Sequence, residues 1–301
     1  MRAAAFAEPG PPGVLRTLDL PEPQAGPGQV RVRVVTAGVQ PFDARLRRGW
    51  VPPYATVTLP QIPGNEFAGV VDQGTPEIPV GTEVLGFSVF NAYAEYVVVA
   101  ADQVTPKPPG VSWEVAGGFT AGWQTARLAL SAIGVGPGDT VLINAAAGST
   151  GTAGVQLARL LGASVIGTAS ESNQDYVRSL GAIPVVYGKG LAARVRTLAP
   201  QGVTAAIDGA GGEALETSLE LVEDRKRIVT LVAHDRIEEL GLGSIQGRRS
   251  AEALAELIAL YAAGETTWHI RRVYPLSEAA GAHREIETGH GRGKIVLSIH
   301  D

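Results

Sequence analysis

The sequence predicts an α/β protein in two parts, a β-rich domain joined to a doubly wound parallel sheet. Three observations carry that prediction. Residues up to about Pro109 hold short alternating or apolar runs broken by Pro and Gly. From about Ser112 onward, strands alternate with helical stretches, the pattern of βαβ units. A length of 301 residues is too great for one typical domain and fits two.

The elements follow in order. Met1–Ala7 reads as a first strand of a cytosolic protein, because Glu8 and Pro9 intervene before any signal-peptide core develops. Strands are expected at Val30–Val35, Phe67–Val71, Glu83–Phe87 and Tyr93–Val99, separated by turns such as Gly26-Pro27-Gly28 and Pro63-Gly64. Short strands at this spacing suggest a small barrel or sandwich. Ser112-Trp113-Glu114-Val115 opens a helix with Ser112 as its cap, and Trp123–Leu130 is a second helical stretch. A strand (Thr140–Asn144), a Gly-containing loop, a helix (Thr152–Leu161) and a strand (Ser164–Ala169) come next. A helix at about Asn173–Leu180 precedes strands at Val203–Asp208 and Lys226–Leu231, and Ser250–Ala263 is the last clear helix. The tail from Arg271 holds a strand, a short helix (Ser277–Glu287) and a final strand, Lys294–Ile299, placed to return to the first domain.

Composition excludes several function classes. The net charge of −5, without a basic block, argues against a nucleic-acid or anionic-membrane binder. No Cys is present, which removes disulfides, a thiol nucleophile and thiolate metal sites. All five His lie at or beyond His234, so the first two-thirds hold no His-rich metal site. No apolar run reaches the roughly 18–20 residues of a membrane span.

The strongest local signal is Val141–Gly154, a buried strand, a loop of small residues and a helix start. The spacing Ala145-x-x-Gly148-x-x-Gly151 is a dinucleotide fingerprint with Ala in first place, and Ala147, Gly148, Ser149, Thr150 and Gly151 are its candidate contacts. Small residues admit a pyrophosphate to the backbone, and free N–H groups at the helix start bind it. A tight packing turn is the competing reading. The next strand ends at Ser170, where an NAD site usually has Asp or Glu for the ribose hydroxyls. A neutral Ser there favours NADPH, with NADH as the alternative. Glu171 beside it, and the lack of Lys or Arg before Arg178, weigh the other way.

Motifs along nearly the whole chain resemble the medium-chain dehydrogenase/reductase superfamily, most closely its zinc-free quinone oxidoreductase branch. They are Gly26–Val30, Ala37–Asp43, Pro63–Gly69, Ala92–Tyr96, the Ala145–Gly151 loop, Asp208–Gly212 and Gly293–Leu297. The resemblance implies a GroES-like catalytic domain from residues 1–112 and 265–301, a Rossmann domain from 113–264 and an active site in the cleft between them. It further implies a homodimer, a cytoplasmic location and a small-molecule partner. Zinc members carry Cys where this chain has Gln40 and His where it has Asn65, so no zinc is expected. Without a Lewis acid, the expected chemistry is hydride delivery from NADPH to an activated acceptor, a quinone or an α,β-unsaturated carbonyl.

Candidate site residues come from that resemblance. The amide of Gln40 donates to the substrate oxygen, although Gln is a methylene longer than the usual Asn. Tyr54 donates a hydrogen bond or proton, or else packs in its Pro-rich loop. Asn65 lines the site or satisfies a turn. Thr120, Tyr187, Asp208 and Val232 are expected beside the cofactor. Asp43 is read as a structural acceptor, Lys294 as a solvated edge, His283 and His290 as structural, and Arg45, Arg47 and Arg48 as a solvated face. Three departures from the family touch preference rather than fold: the short Val71–Gly81 hairpin, the absent cation after Ser170, and Ala210 in place of Val. Two rival functions share this architecture, an enoyl-thioester reductase and a non-catalytic NADPH-binding or regulatory protein.

Overall fold

The computed structural model describes residues 1–300. In chain order its elements are β1 (Arg2–Ala5), β2 (Arg16–Asp19), β3 (Gln29–Val39), α1 (Pro41–Arg47), β4 (Glu66–Gln73), β5 (Glu83–Phe87), β6 (Tyr96–Ala100), β7 (Val104–Pro106), α2 (Trp113–Gly117) and α3 (Thr120–Ala132). Then come β8 (Thr140–Ile143), α4 (Ser149–Leu160), β9 (Ser164–Ala169), α5 (Gln174–Ser179), β10 (Ile183–Val186), α6 (Leu191–Leu198), β11 (Ala205–Asp208), α7 (Gly212–Leu221), β12 (Ile228–Thr230) and α8 (Ile237–Leu240). The chain ends with α9 (Ala251–Ala262), β13 (Ile270–Pro275), α10 (Ala279–Glu287) and β14 (Lys294–Ser298). None of these helices is long and apolar enough to cross a membrane.

The chain forms two compact units. One comprises Met1–Ala121, Arg249–His290 and the chain from Lys294; the other comprises Gly122–Arg248 with Gly291–Gly293. In the first unit a seven-stranded sheet runs β13-β14-β3-β4-β5-β7, with β6 also on β3. Strand β3 organises it. Its first half pairs β6 (Val30↔Val99) and its last residues pair β14 (Val39↔Ile295), while β4 covers the other edge (Ala37↔Phe67). The terminal strand is therefore an internal member of the first sheet. Val30, Val32, Val34, Phe67, Tyr93, Ile295 and Leu297 are buried in one apolar core. The cap at Ser112 forms as expected, its hydroxyl accepting from Val115 N at 3.3 Å, and Ser250 caps α9 in the same way, accepting from Ala253 N at 3.1 Å.

The second unit holds a five-stranded parallel sheet in the order β10-β9-β8-β11-β12. Counted within the unit this is 3-2-1-4-5, the order of a doubly wound nucleotide fold, which reverses direction beside β8. The α/β expectation is met. Strands β5 and β9 have the expected bounds. The sequence reading passed over β2, α1, β7, β10, α6, α7 and α8. The strands are short, Pro184 sits inside β10, and α6 starts from Gly190 at φ +80°, which hides its first turn from a pattern search.

Candidate active site

Three adjacent strands of the first unit bring one charged cluster together. Glu66 opens β4, Gln40 follows β3 and Lys294 opens β14. The Lys294 ammonium lies 2.5 Å from Glu66 Oε1 and donates to Val39 O at 2.8 Å. Gln40 Nε2 donates to the same Glu66 oxygen at 2.6 Å, and Glu66 Oε2 accepts from Ala121 N at 2.6 Å, at the start of α3. Two glycines make the room. A Cβ on Gly38 would stand 2.1 Å from Glu66 Oε1, and one on Gly118 would stand 2.8 Å from Lys294 Cγ. Glu66 and Lys294 are both essentially unexposed. Burial lowers the Lys294 pKa, and Glu66 opposes that shift.

Asp43 lies beneath this cluster. One of its oxygens accepts from Gln40 N at 2.8 Å and Tyr93 Oη at 2.9 Å, and the other accepts from Gly64 N at 3.1 Å. Burial raises its pKa to about 6 against these hydrogen bonds. It holds the turn that carries Gln40, the structural role expected. Asn65 is buried, and its Oδ1 has no hydrogen-bond partner; the same is true of Thr120 Oγ1. Asn65 O accepts from Ser88 N at 3.2 Å and from Arg249 Nη1 at 3.4 Å.

In the second unit, β8 runs into the Gly loop and α4. Ala145 has φ +57°, and a Cβ on Gly151 would lie 2.2 Å from Ala145 O, so this tight turn requires glycine at 151. Gly148 caps α4 without a side-chain bond, which leaves the first N–H groups of Ser149, Thr150 and Gly151 without intrahelical acceptors. Gly148 bridges Gly293, whose N–H donates to Ala147 O at 2.8 Å. The tail thereby carries Arg292 to the loop. Its guanidinium lies 5.5 Å from the centre of the Tyr176 ring, and the Tyr176 hydroxyl lies 3.0 Å from Thr152 Oγ1. A backbone cradle of this kind, with a cation beside it, fits a dinucleotide pyrophosphate.

The expected site residues divide between these two places. Gln40 bonds Glu66, Asn65 directly precedes Glu66 in the chain, and Thr120 directly precedes Ala121, whose N–H reaches the same carboxylate. Tyr54 is 74% exposed and makes no hydrogen bond to them among the described residues. Ala147, Gly148, Ser149, Thr150 and Gly151 form one loop. Ser170 opens the turn after β9, its Oγ accepting from Asn173 Nδ2 at 3.0 Å. Tyr187 and Val232 lie exposed beyond β10 and β12. Asp208 is buried, its carboxylate committed to Ala210 N, Gly211 N and Thr230 Oγ1.

Two expectations are overturned. Lys294 does not lie at a solvated edge; a carboxylate distant in sequence makes its burial possible. The Arg45–Arg48 stretch is not simply a solvated face. Arg47 is fully buried and pairs with Glu287 of α10, Arg48 reaches the same carboxylate at 2.8 Å, and Arg45 lies 4.3 Å from the Trp50 ring centre. Sequence reasoning missed the Glu66–Lys294 pair, Arg249 and Arg292. Only the first left a signal, a rare Lys set directly against the apolar run Ile295-Val296-Leu297.

The chain as a whole is similar to known proteins. A family model described as alcohol dehydrogenase GroES-like domain matches residues 26–109, and one described as zinc-binding dehydrogenase matches residues 180–297. The chain is 31% identical to the pikromycin polyketide synthase component PikAII of Streptomyces venezuelae over 97% of its own length, but spans only 8% of that protein. It is 30% identical to the quinone oxidoreductase of Coxiella burnetii, with a TM-score of 0.87 over 100% of this chain and 99% of that one. It is 25% identical to the Escherichia coli quinone oxidoreductase complexed with NADPH, with a TM-score of 0.86 over 99% and 100%.

The zinc in one family description does not suit the donors present. Both Glu66 oxygens are engaged, the Lys294 ammonium already supplies the compensating positive charge, Gln40 directs an N–H at Glu66, and no thiolate exists in the chain. The chain belongs to the medium-chain dehydrogenase/reductase superfamily, in its quinone oxidoreductase-like branch of oxidoreductases.

Proposed function

We propose that the chain is a zinc-independent, NADPH-dependent reductase acting on a quinone or an α,β-unsaturated carbonyl. The observation that carries this reading is the Gln40–Glu66–Lys294 cluster, in which carboxylate and ammonium neutralise each other beside Gln40, the position where zinc members of the family carry Cys. The nicotinamide supplies hydride when bound. In the second unit, the N–H groups of Ser149, Thr150 and Gly151 hold its pyrophosphate, with Ala147, Gly148, Ser170, Tyr187, Asp208 and Val232 shaping the rest of the site. Thr120 faces the nicotinamide. The neutral Ser170, where an NAD site usually has Asp or Glu, supports NADPH over NADH, and Arg292 adds a cation beside the loop.

In the first unit, Gln40 gives one N–H to Glu66 and keeps the other for the substrate oxygen. Tyr54 or water returns the proton. In this reading residues 1–112 and 265–301 form the catalytic domain, residues 113–264 bind the nucleotide, and the protein is a cytoplasmic homodimer.

The test is NADPH and NADH oxidation by chelator-treated protein with benzoquinone, a naphthoquinone, a 2-alkenal and crotonyl thioester. Chelator-insensitive turnover with NADPH is expected. Turnover restored only by zinc, or none on any acceptor, refutes the reading. The likeness to polyketide synthases favours a second reading, an enoyl thioester as the acceptor, since assembly of acyl chains presents that kind of unsaturated carbonyl. Turnover of crotonyl thioester well above the quinones selects it.

A further inference from the structure

Arg249 immediately precedes the cap of α9, and its side chain turns into the first unit. A guanidinium has five N–H donors and a permanent charge. Here it makes one long hydrogen bond, to Asn65 O at 3.4 Å, an acceptor that Ser88 N already uses at 3.2 Å. It has no ion-pair partner among the described residues. Its closest acidic influences, Glu66 and Asp43, are engaged elsewhere, Glu66 by Lys294, Gln40 and Ala121, and Asp43 by Gln40, Gly64 and Tyr93. Tyr54 also acts on it through space. Arg249 is partly exposed, so its remaining N–H donors are open to an incoming ligand, and no carboxylate among the described residues is bonded to them. Next to it, Asn65 Oδ1 is buried and unsatisfied. The cluster therefore has its own charges balanced and one cation left over.

We propose that Arg249 receives the carbonyl oxygen of the substrate and holds the oxyanion that forms on reduction. The proposal rests on the reductase reading above and assigns the group that receives the oxygen its acceptors share, one that becomes anionic in quinones, enones and enoyl thioesters alike. The acceptor carbon gains hydride with its electron pair from the nicotinamide, which is oxidised. The C=C π pair shifts through the conjugated system, and the C=O π pair moves onto oxygen. A proton from Tyr54 or water then neutralises the product. Arg249 exchanges no proton, since its charge is permanent; it contributes a fixed positive field at the atom where negative charge develops. It takes the part that a metal ion plays in zinc relatives.

The test uses Arg249→Met and Arg249→Lys, with 4-nitrophenol as a probe of the oxyanion site. Parent protein is expected to lower the ionisation pH of bound 4-nitrophenol by about one unit or more, and Arg249→Met to lose that shift. The Met variant should reduce benzoquinone about 100-fold more slowly, with NADPH affinity by fluorescence titration unchanged. Its melting temperature should hold or rise, because the removed charge has no partner; Arg249→Lys should keep part of both functions.

A Met variant within about threefold of parent activity, or parent protein that binds no 4-nitrophenolate, overturns the proposal. So does a fall in melting temperature of more than about 5 °C with parallel loss of NADPH binding, which marks Arg249 as structural. Parent protein that reduces no acceptor, yet shows an Arg249-dependent nitrophenolate shift, refutes the reductase reading and leaves the oxyanion site standing.

Discussion

Replacing Lys294 with Met tests whether the cluster is a charge-balanced unit. The side chain is 1% exposed, its ammonium contacts Glu66 Oε1, and it satisfies Val39 O. Met has similar bulk but leaves the Glu66 carboxylate buried without its counter-charge. Breaking a buried pair from one side costs about 3–5 kcal/mol. At about 2–4 °C per kcal/mol for a unit of this size, the expected fall in melting temperature is about 6–20 °C. The double variant Glu66→Gln with Lys294→Met removes both charges. It leaves Val39 O without the Lys294 donor, and one of Gln40 Nε2 and Ala121 N without an acceptor, because Gln offers an oxygen to only one of them. The Lys294→Met single variant leaves Val39 O bare as well and adds a buried uncompensated charge, so the double should melt above the single variant. Thermal melts of parent, both singles and the double at pH 7 decide the matter. A Lys294→Met loss below about 1 kcal/mol, or a double variant that melts below the single, refutes the reasoning.

Three further outcomes are expected. Burial, with repulsion from Arg47 and Arg48, depresses the pKa of His283 from 6.5 to about 3. The folded state thus takes up its proton later than the unfolded state, so its contribution is complete above pH 6.5 and fades as pH falls toward 3, by up to about 5 kcal/mol. Asp43 has the opposite sign: its folded pKa of about 6 against 3.8 means stability lost as pH rises through that window, by about 3 kcal/mol. Melting temperature against pH should therefore fall less steeply on the acid side in His283→Leu than in parent; parallel profiles would contradict this. Gly151→Ala drives a Cβ into Ala145 O. It should weaken NADPH binding more than about tenfold and cost about 1–3 kcal/mol, read by fluorescence titration and melting. Arg292→Ala should weaken NADPH and NADH alike, about tenfold each, because both carry the pyrophosphate that the loop holds; a loss confined to NADPH would move Arg292 to the 2′-phosphate.

The candidate site was legible in part. The Ala145–Gly151 loop could be read because a strand-to-helix turn that needs φ above zero and no Cβ is a local requirement, written in neighbouring residues. Gln40 and Asn65 were singled out by the family motifs around them. Their hydrogen bonding was not, since Glu66 reaches Gln40 only through the β3–β4 register.

By itself, the sequence determined the α/β class, the placement of most strands and the helix cap at Ser112. Periodicity, turn chemistry and capping act over a few residues, so they survive without knowledge of the fold. Only the tertiary structure decided which charges are buried. Lys294 in a Gly-Lys dipeptide and Arg47 in an Arg-rich stretch look like solvated residues, yet each is buried against a carboxylate distant in the chain, Glu66 and Glu287. Arg249 looks equally ordinary, and its lack of an ion-pair partner among the described residues becomes visible only once Glu66 and Asp43 are seen to be engaged by others. Burial and charge pairing depend on long-range register, and no local window of sequence contains that information.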